Sequence, residues 1–188
     1  MDNSELYEKS ILLIGPSGAG KSTVAEELHK MTDLPRLCLD GIANRDRQTG
    51  FTRRFRNADE YHSYMIKTVL DIAEKHGKPG VVDFGAGHSV YDSIEIFNEV
   101  KNKLRNFKNI ILLIPSVDIE KSLRIMEQRS TGYTGDNRKF ITSSCNRELA
   151  TITIYGNDKT PKEIADEILK IIEKRQNDKE DNKRNYKS

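Results

Sequence analysis

The sequence predicts an α/β fold in which a five-stranded parallel sheet carries helices on both faces. Strand-like and helix-like segments alternate along the chain, which is the pattern of such a sheet. The stretch "ILLIGPSGAGKST", residues 11–23, runs from four aliphatic residues through a glycine-rich turn into a helical pattern. The later run "NIILLIPS" is apolar throughout, as a central strand of a parallel sheet is expected to be.

The individual elements follow from apolar periodicity and from the turn residues between the runs. We predict strands at Ser10–Ile14, in "PRLCLD" as far as Asp40, and in "GVVDF", "NIILLIPS" and "ATITIYG". We predict helices in "KSTVAEELHKM", "ADEYHSYMIKTVLDIAEKHG", Asp92–Leu104, "VDIEKSLRIMEQR" and "TPKEIADEILKII". We expect the strand that ends at Asp40 to neighbour the first strand in the sheet.

Local residues mark the ends of two of these helices. Asn57 and Glu60 form a capping pair before one helix, and Gly77 follows its end. Thr160 and Glu163 form the corresponding pair before the last helix.

Length and composition predict one soluble domain. The 188 residues suit a single α/β core, which we place at residues 1–174, with residues 175–188 as a charged, flexible tail. The net charge of +2 gives no bulk attraction to nucleic acid or to an acidic membrane. No apolar run approaches the roughly 18 residues of a membrane span. The polar start and two unpaired cysteines favour a cytoplasmic protein, either a monomer or a homodimer.

The glycine-rich turn has the spacing G-x-x-x-x-G-K-[ST], which binds a chain of phosphates. Its backbone N–H groups and the helix that follows it direct positive charge toward an anion. We expect Lys21 to contact the outer phosphates of ATP and the Ser22 hydroxyl to hold Mg²⁺. The predicted ATP-binding residues of this loop are Gly15, Pro16, Ser17, Gly18, Ala19, Gly20, Lys21, Ser22 and Thr23.

Two acidic residues stand at the carboxyl ends of predicted strands, the edge at which parallel sheets bind ligands. Asp40 ends "LCLD" and Asp83 ends "VVD". A carboxylate there can hold Mg²⁺ or its waters, or accept a proton from an attacking alcohol. We expect Asp40 to contact both metal and acceptor, and Asp83 to lie in the acceptor site.

Arginines and a second glycine-rich loop supply further candidates. Arg56, in "FTRRFRNADE", offers a planar fork for an anionic group, and Gly85, Ala86 and Gly87 let a substrate approach the backbone closely. Residues 130–146 form a polar segment too long for a routine connection, which we interpret as a lid. Arg138, inside this segment, would stabilise charge on a moving phosphoryl group, and Arg129 would lie near the adenine ring.

Taken in chain order, these motifs resemble the shikimate kinase family of P-loop kinases over roughly residues 11–172. The resemblance is carried by "GPSGAGKST", "LCLD", "FRNADE", "FGAG" and "IYGNDKTPKEIADEI". It implies that Arg56 and Gly85–Gly87 contact the acceptor, that Asp40 lies between metal and acceptor, and that residues 130–146 form the lid. The chain departs from the family at Ile42, because shikimate kinases have a second carboxylate there. We therefore expect weak or no activity on shikimate.

The sequence thus predicts a phosphotransferase that moves the γ-phosphate of ATP to a hydroxyl of a small molecule. A nucleoside or nucleotide kinase is the main alternative, since it shares the same frame. A P-loop NTPase without an acceptor is a second alternative. Regulatory GTPases are disfavoured because the chain has no Asn-Lys-x-Asp signature, and AAA-type ATPases because they need a second helical domain.

Overall fold

The computed structural model describes residues 3–129, 136–156 and 158–185, without the side chains of residues 179, 180 and 182–185. Five strands form one sheet in the order β2-β3-β1-β4-β5, and every neighbouring pair is parallel. The strands are β1 (Ile11–Ile14), β2 (Arg36–Cys38), β3 (Val81–Asp83), β4 (Asn109–Ile114) and β5 (Ile152–Tyr155).

Helices cover both faces of this sheet, as predicted. They are α1 (Ser4–Lys9), α2 (Lys21–Thr32), α3 (Leu39–Gln48), α4 (Ala58–His76), α5 (Ile94–Leu104), α6 (Ile119–Arg129), α7 (Asn137–Thr142), α8 (Ser144–Leu149) and α9 (Pro161–Asn185). Short 3₁₀ turns occupy Phe51–Arg54 and Ala86–Ser89. Helix α2 packs against α9, and α4 packs against α5. In the part of the chain described, no helix is both long enough and apolar enough to cross a membrane.

The core is centred on β1 and β4, two of the three inner strands of the sheet. Every residue of β1 and β4 is buried, which explains why both sequences are aliphatic without alternation. Each large aliphatic side chain buried in this way contributes roughly 1.5–3 kcal/mol to the hydrophobic driving force. The loops that follow these strands therefore begin from a rigid sheet edge.

The predicted helix caps are confirmed. The Asn57 side chain accepts a hydrogen bond of 3.0 Å from the backbone N–H of Glu60, and Gly77 ends α4 in the left-handed conformation. The backbone N–H of Glu163 donates to the Thr160 hydroxyl over 3.2 Å, and the Glu163 carboxylate accepts from the Thr160 N–H over 2.7 Å. Both helices therefore begin where the capping pairs indicate.

The prediction that β2 neighbours β1 is wrong, because β3 lies between them. The second strand is also shorter than predicted. It ends at Cys38, and the chain turns at once into α3, so Asp40 lies in the first turn of a helix. Helix α3 was not predicted from the sequence because it fully buries only Leu39 and Ala43 and most of its other residues are polar.

Three polar stretches contain helical structure that was not predicted from the sequence. The polar N-terminal stretch contains α1, whose Leu6 is buried in the core. The second part of the predicted lid forms α7 and α8, which bury Ile141 and Cys145. Helix α9 continues to Asn185, through most of the stretch predicted as a tail. That the tail is flexible stays a prediction.

Candidate functional site

The phosphate-binding loop, residues 15–23, connects β1 to α2 in a shape that requires glycine. Gly15, Gly18 and Gly20 have φ angles of 133°, 75° and 94°, which L side chains rarely adopt. A Cβ on Gly15 would also lie 2.4 Å from the carbonyl oxygen of Leu113 on β4. The loop is therefore bent tightly over the sheet edge and leads directly into the N-terminus of α2.

Lys21 is the first residue of α2 and is almost completely buried, with 6% of its surface exposed. Its ammonium donates a hydrogen bond of 2.9 Å to the carbonyl oxygen of Pro16, across the loop. Burial lowers the pKa of Lys21, and the negative charges of Asp83 and Asp40 oppose this lowering. A phosphate chain held by the loop would give this buried cation an anionic partner.

Asp83 and Asp40 are the two carboxylates whose negative charges act on Lys21. Asp83 ends β3 and is 2% exposed, and its register places it beside Leu13 of β1 and Cys38 of β2. Arg36 donates to Asp83 Oδ2 over 3.4 Å. Burial raises the pKa of Asp40, Lys21 lowers it, and Asp83 raises it further. Asp83 therefore belongs to β3, the strand that pairs with β1, whereas Asp40 belongs to α3.

These residues fit a magnesium ion that is shared with a nucleotide. Mg²⁺ is commonly held by one or two carboxylates together with substrate phosphates, without a dedicated protein cage. Within the described ranges, no group of three or more His, Cys, Asp or Glu side chains is placed to hold a metal by itself. Asp40, Asp83 and the hydroxyl of Ser22 are oxygen donors of the required kind around Lys21.

A cavity of about 530 Å³ opens beside these residues, between α3, α4 and the loop after β3. Its lining comprises Asp40, Arg47, Thr52, Phe55, Asn57, Ala58, Tyr61, His62, Gly87 and His88. The Tyr61 hydroxyl donates to Asp46 Oδ2 over 3.0 Å and so ties α4 to α3. The volume and the mixture of aromatic and polar groups are typical of small-molecule sites.

The Gly85-Ala86-Gly87 loop borders this cavity, and the structure explains why its first and third residues are glycines. A Cβ on Gly85 would lie 1.9 Å from Asp40 Oδ1 and 2.5 Å from His88 Nδ1. A Cβ on Gly87 would lie 2.7 Å from His62 Cε1. The space that glycine leaves free is therefore taken by the protein's own side chains. From the sequence, we expected these small residues to let a substrate approach the backbone closely, and that contact stays a prediction.

Two arginines, Arg56 and Arg47, differ in their position relative to this cavity. Arg56 is 89% exposed at its side chain, pairs with Glu60, and does not line the cavity. Arg47 on α3 lines it instead, two helical turns after Asp40 and therefore on the same helical face. Within the described residues, Arg47 has no carboxylate partner, and its Nε donates to the Ala43 carbonyl oxygen over 3.3 Å. Arg47 therefore lies in the cavity, and the predicted contact of Arg56 with the acceptor stays a prediction.

The predicted lid is described in part. Residues 130–135 lie outside the described residues. Arg138, on α7, makes a bidentate ion pair with Glu120 of α6, with distances of 2.7 and 2.9 Å. Arg129 is exposed at the end of α6. The structure therefore gives Arg138 a carboxylate partner, and the predicted contacts of both arginines with nucleotide stay predictions.

Asn137 is a contact to the phosphate-binding loop that the sequence analysis missed. Its side chain is 2% exposed, accepts a hydrogen bond of 3.0 Å from the Ser17 N–H, and donates one of 3.1 Å to the Ser17 carbonyl oxygen. This reciprocal pair attaches α7 to the loop. No local signal marks Asn137, because its partner is 120 residues away in the chain.

Together, the loop, the buried lysine and the carboxylates at one sheet edge define a P-loop nucleotide-binding domain. The family of proteins described as AAA domain matches residues 11–144, and the chain belongs to this family. From the sequence, AAA-type ATPases were disfavoured because they need a second helical domain. The match does not depend on such a domain, since it covers residues 11–144 and the described residues form a single α/β unit.

Three solved structures with a similar fold are described as shikimate kinases or a gluconokinase. Shikimate kinase from Acinetobacter baumannii, solved in complex with shikimate, is 19% identical with a TM-score of 0.66, covering 92% of this chain and 98% of its own. Shikimate kinase from Aquifex aeolicus is 21% identical with a TM-score of 0.58, covering 89% and 98%. A gluconokinase from Sinorhizobium meliloti is 14% identical with a TM-score of 0.61, covering 89% and 93%. The chain therefore has the shikimate kinase-like P-loop kinase fold that its motifs predicted.

Proposed function

We propose that the chain is an ATP-dependent phosphotransferase that moves the γ-phosphate to a hydroxyl group of a small molecule. The observation that carries this proposal is the position of the cavity. Asp40 lines this cavity and also acts electrostatically on Lys21, the lysine of the phosphate-binding loop. An acceptor in the cavity would therefore have its hydroxyl near the outermost phosphate, as in-line transfer requires.

In this proposal, the loop and the N-terminus of α2 bind the phosphates, and Lys21 contributes positive charge to them. Ser22, Asp40 and Asp83 would hold Mg²⁺, which when bound neutralises charge on the phosphate oxygens. Asp40 also orients the acceptor hydroxyl and accepts its proton. The position of Asp40 supports this role, because it lines the cavity and its charge acts on Lys21.

Arg47 would bind an anionic group on the acceptor. Arg47 lines the cavity and its charge acts on Asp40, and a carboxylate or phosphate group of the acceptor would give its guanidinium a direct ion pair. Ile42, where shikimate kinases have a second carboxylate, packs against the hydrophobic core and lies outside the cavity lining. This position supports the expectation that shikimate is a poor acceptor.

The test is a transfer assay with Mg-ATP labelled at the γ-phosphate over a panel of sugar acids, sugars, polyols and nucleosides, with product masses as the readout. Label in a small hydroxylated molecule supports the proposal. Label in nucleosides would favour the nucleoside kinase alternative. Release of label as inorganic phosphate at the same rate with and without every compound would favour an NTPase without an acceptor.

A further inference from the structure

His88 is a buried side chain of the cavity lining whose ring nitrogens make no hydrogen bond within the described part of the chain. It lies in the 3₁₀ turn Ala86–Ser89, is 2% exposed and lines the cavity. Neither Nδ1 nor Nε2 forms a hydrogen bond to any residue that the structure describes. Buried polar atoms in native proteins usually have a hydrogen-bond partner, so this ring is a candidate for contact with a bound molecule.

The charge state of His88 determines what it can bind. Burial lowers its pKa to about 3, and the neighbouring charge of His62 acts in the same direction. The imidazole is therefore neutral near pH 7, with one nitrogen as donor and the other as acceptor. A hydroxyl group, which both donates and accepts, matches either nitrogen.

The position of the ring is fixed by its neighbours. The His62 and His88 rings lie 4.5 Å apart between centroids, at an interplanar angle of 46°. On the other side, Asp40 Oδ1 and His88 Nδ1 both lie within 2.5 Å of the point where a Cβ on Gly85 would stand. His88 and Asp40 are thus adjacent polar groups at one end of the same cavity.

We propose that His88, supported by His62, is a specificity-determining residue that hydrogen-bonds a hydroxyl of the acceptor beside the hydroxyl that Asp40 orients. This inference rests on the proposed function. It identifies the acceptor class as molecules with hydroxyl groups on neighbouring carbon atoms, because two adjacent polar side chains bind two adjacent hydroxyls. His88 does not receive the phosphoryl group or the proton in this arrangement.

Three variants test the inference. His88→Leu removes both nitrogens at similar volume, His88→Gln keeps one donor and one acceptor, and His76→Leu is the matched control at an exposed histidine outside the cavity. The acceptors are gluconate, ribose, glycerol and shikimate, each with Mg-ATP. The measurements are acceptor kcat/KM, the KM for ATP, and the melting temperature.

We expect His88→Leu to lower acceptor kcat/KM by about 10- to 100-fold, the usual loss when a polar contact to a substrate is removed. The KM for ATP stays at its wild-type value, and the melting temperature is unchanged or higher because an unpaired polar ring has been replaced by an apolar side chain. His88→Gln recovers a large part of the activity, and His76→Leu behaves as wild type. If His88→Leu does not fold, His88→Phe takes its place, since it keeps the ring.

Two results would overturn the inference by itself while leaving the proposed function intact. One is wild-type acceptor kcat/KM in His88→Leu. The other is a loss of kcat/KM that His88→Gln does not relieve and that follows a fall in melting temperature in both variants. If the wild-type protein binds Mg-ATP and phosphorylates none of the four compounds, the proposed function fails in the form used here, and the inference fails with it.

Discussion

The carboxylate of Asp40 lies directly against Gly85, so that a Cβ on Gly85 would stand 1.9 Å from Asp40 Oδ1. The Asp40 carboxylate, on α3, therefore lies against the loop after β3 in the lining of the cavity. No real Cβ contact is so short, and either the carboxylate or the loop would have to move to admit one. Substitution of Gly85 therefore tests whether activity depends on the position of the Asp40 carboxylate.

We expect Gly85→Ala to lower turnover by about 10²-fold or more, comparable to Asp40→Asn, because both remove a correctly placed general base. The affinity for Mg-ATP should remain close to wild type, since the phosphate-binding loop is unaltered. Gly41→Ala is the matched control. It lies next to Asp40 on α3, and its Cβ would meet nothing closer than Cys38 Sγ at 4.0 Å.

Steady-state kinetics and nucleotide titration of the three variants would measure this effect. Wild-type turnover in Gly85→Ala would show that the position of Asp40 is unimportant. Equal losses in Gly85→Ala and Gly41→Ala would show a general disturbance of this edge of the sheet.

Asn137 is expected to hold the phosphate-binding loop in its binding shape. Asn137→Ala removes two hydrogen bonds to Ser17, each with a net value of about 0.5–1.5 kcal/mol. We expect Mg-ATP affinity to fall by about 10-fold, since the loop must then be ordered by the nucleotide itself. Calorimetric titration with a non-hydrolysable ATP analogue measures the change.

Asn146→Ala provides the control for Asn137→Ala. Asn146 is equally buried and donates to the Phe140 carbonyl oxygen over 2.8 Å, without contact to the phosphate-binding loop. Its substitution should reduce thermal stability and leave nucleotide affinity unchanged. An equal loss of affinity in both variants would mean that the effect is one of global stability.

The two arginine candidates can be separated by substitution. We expect Arg47→Ala to raise the KM for the acceptor by about 10- to 100-fold, because a charge-assisted contact of an anionic group is lost. Arg56→Ala should change this KM little, since Arg56 points away from the cavity toward Glu60. A large effect of Arg56→Ala would restore the prediction made from the sequence and would require that residue to turn inward with substrate.

The lid hypothesis predicts a change in dynamics on ligand binding. We expect amide hydrogen exchange in α7 and α8 to slow when nucleotide and acceptor bind together, because closure excludes water before transfer. The ion pair between Arg138 and Glu120 must also open if Arg138 is to reach a phosphate. Exchange that is the same in the free and ligand-bound protein would contradict a lid at α7 and α8.

Much of the fold could be predicted because its signals are local. The phosphate-binding loop, β4 and the caps at Asn57 and Thr160 are each encoded within a few neighbouring residues. The sheet order could not be predicted in the same way, because strand pairing depends on long crossover connections. The placement of β2 beside β1 failed for this reason.

The cavity could be predicted from the sequence less well than the phosphate-binding loop. Helix α3 forms part of the cavity wall, and the apolar pattern did not reveal this helix because few of its residues are buried. Once α3 is known, the seven-residue spacing from Asp40 to Arg47 places both on one face. The role of His88 depends on burial and on missing partners, which only a three-dimensional structure provides.

The central claim is tested most directly by following the γ-phosphate of Mg-ATP in the wild-type protein, Lys21→Ala and Asp40→Asn, with the hydroxylated panel present. We expect the wild-type protein to form a phosphorylated small molecule. We expect Lys21→Ala to lose nucleotide binding or turnover while staying folded, and Asp40→Asn to bind ATP normally with turnover lowered by about 10²-fold or more. Equal transfer by all three proteins, or release of phosphate to water alone by the wild type, would contradict it.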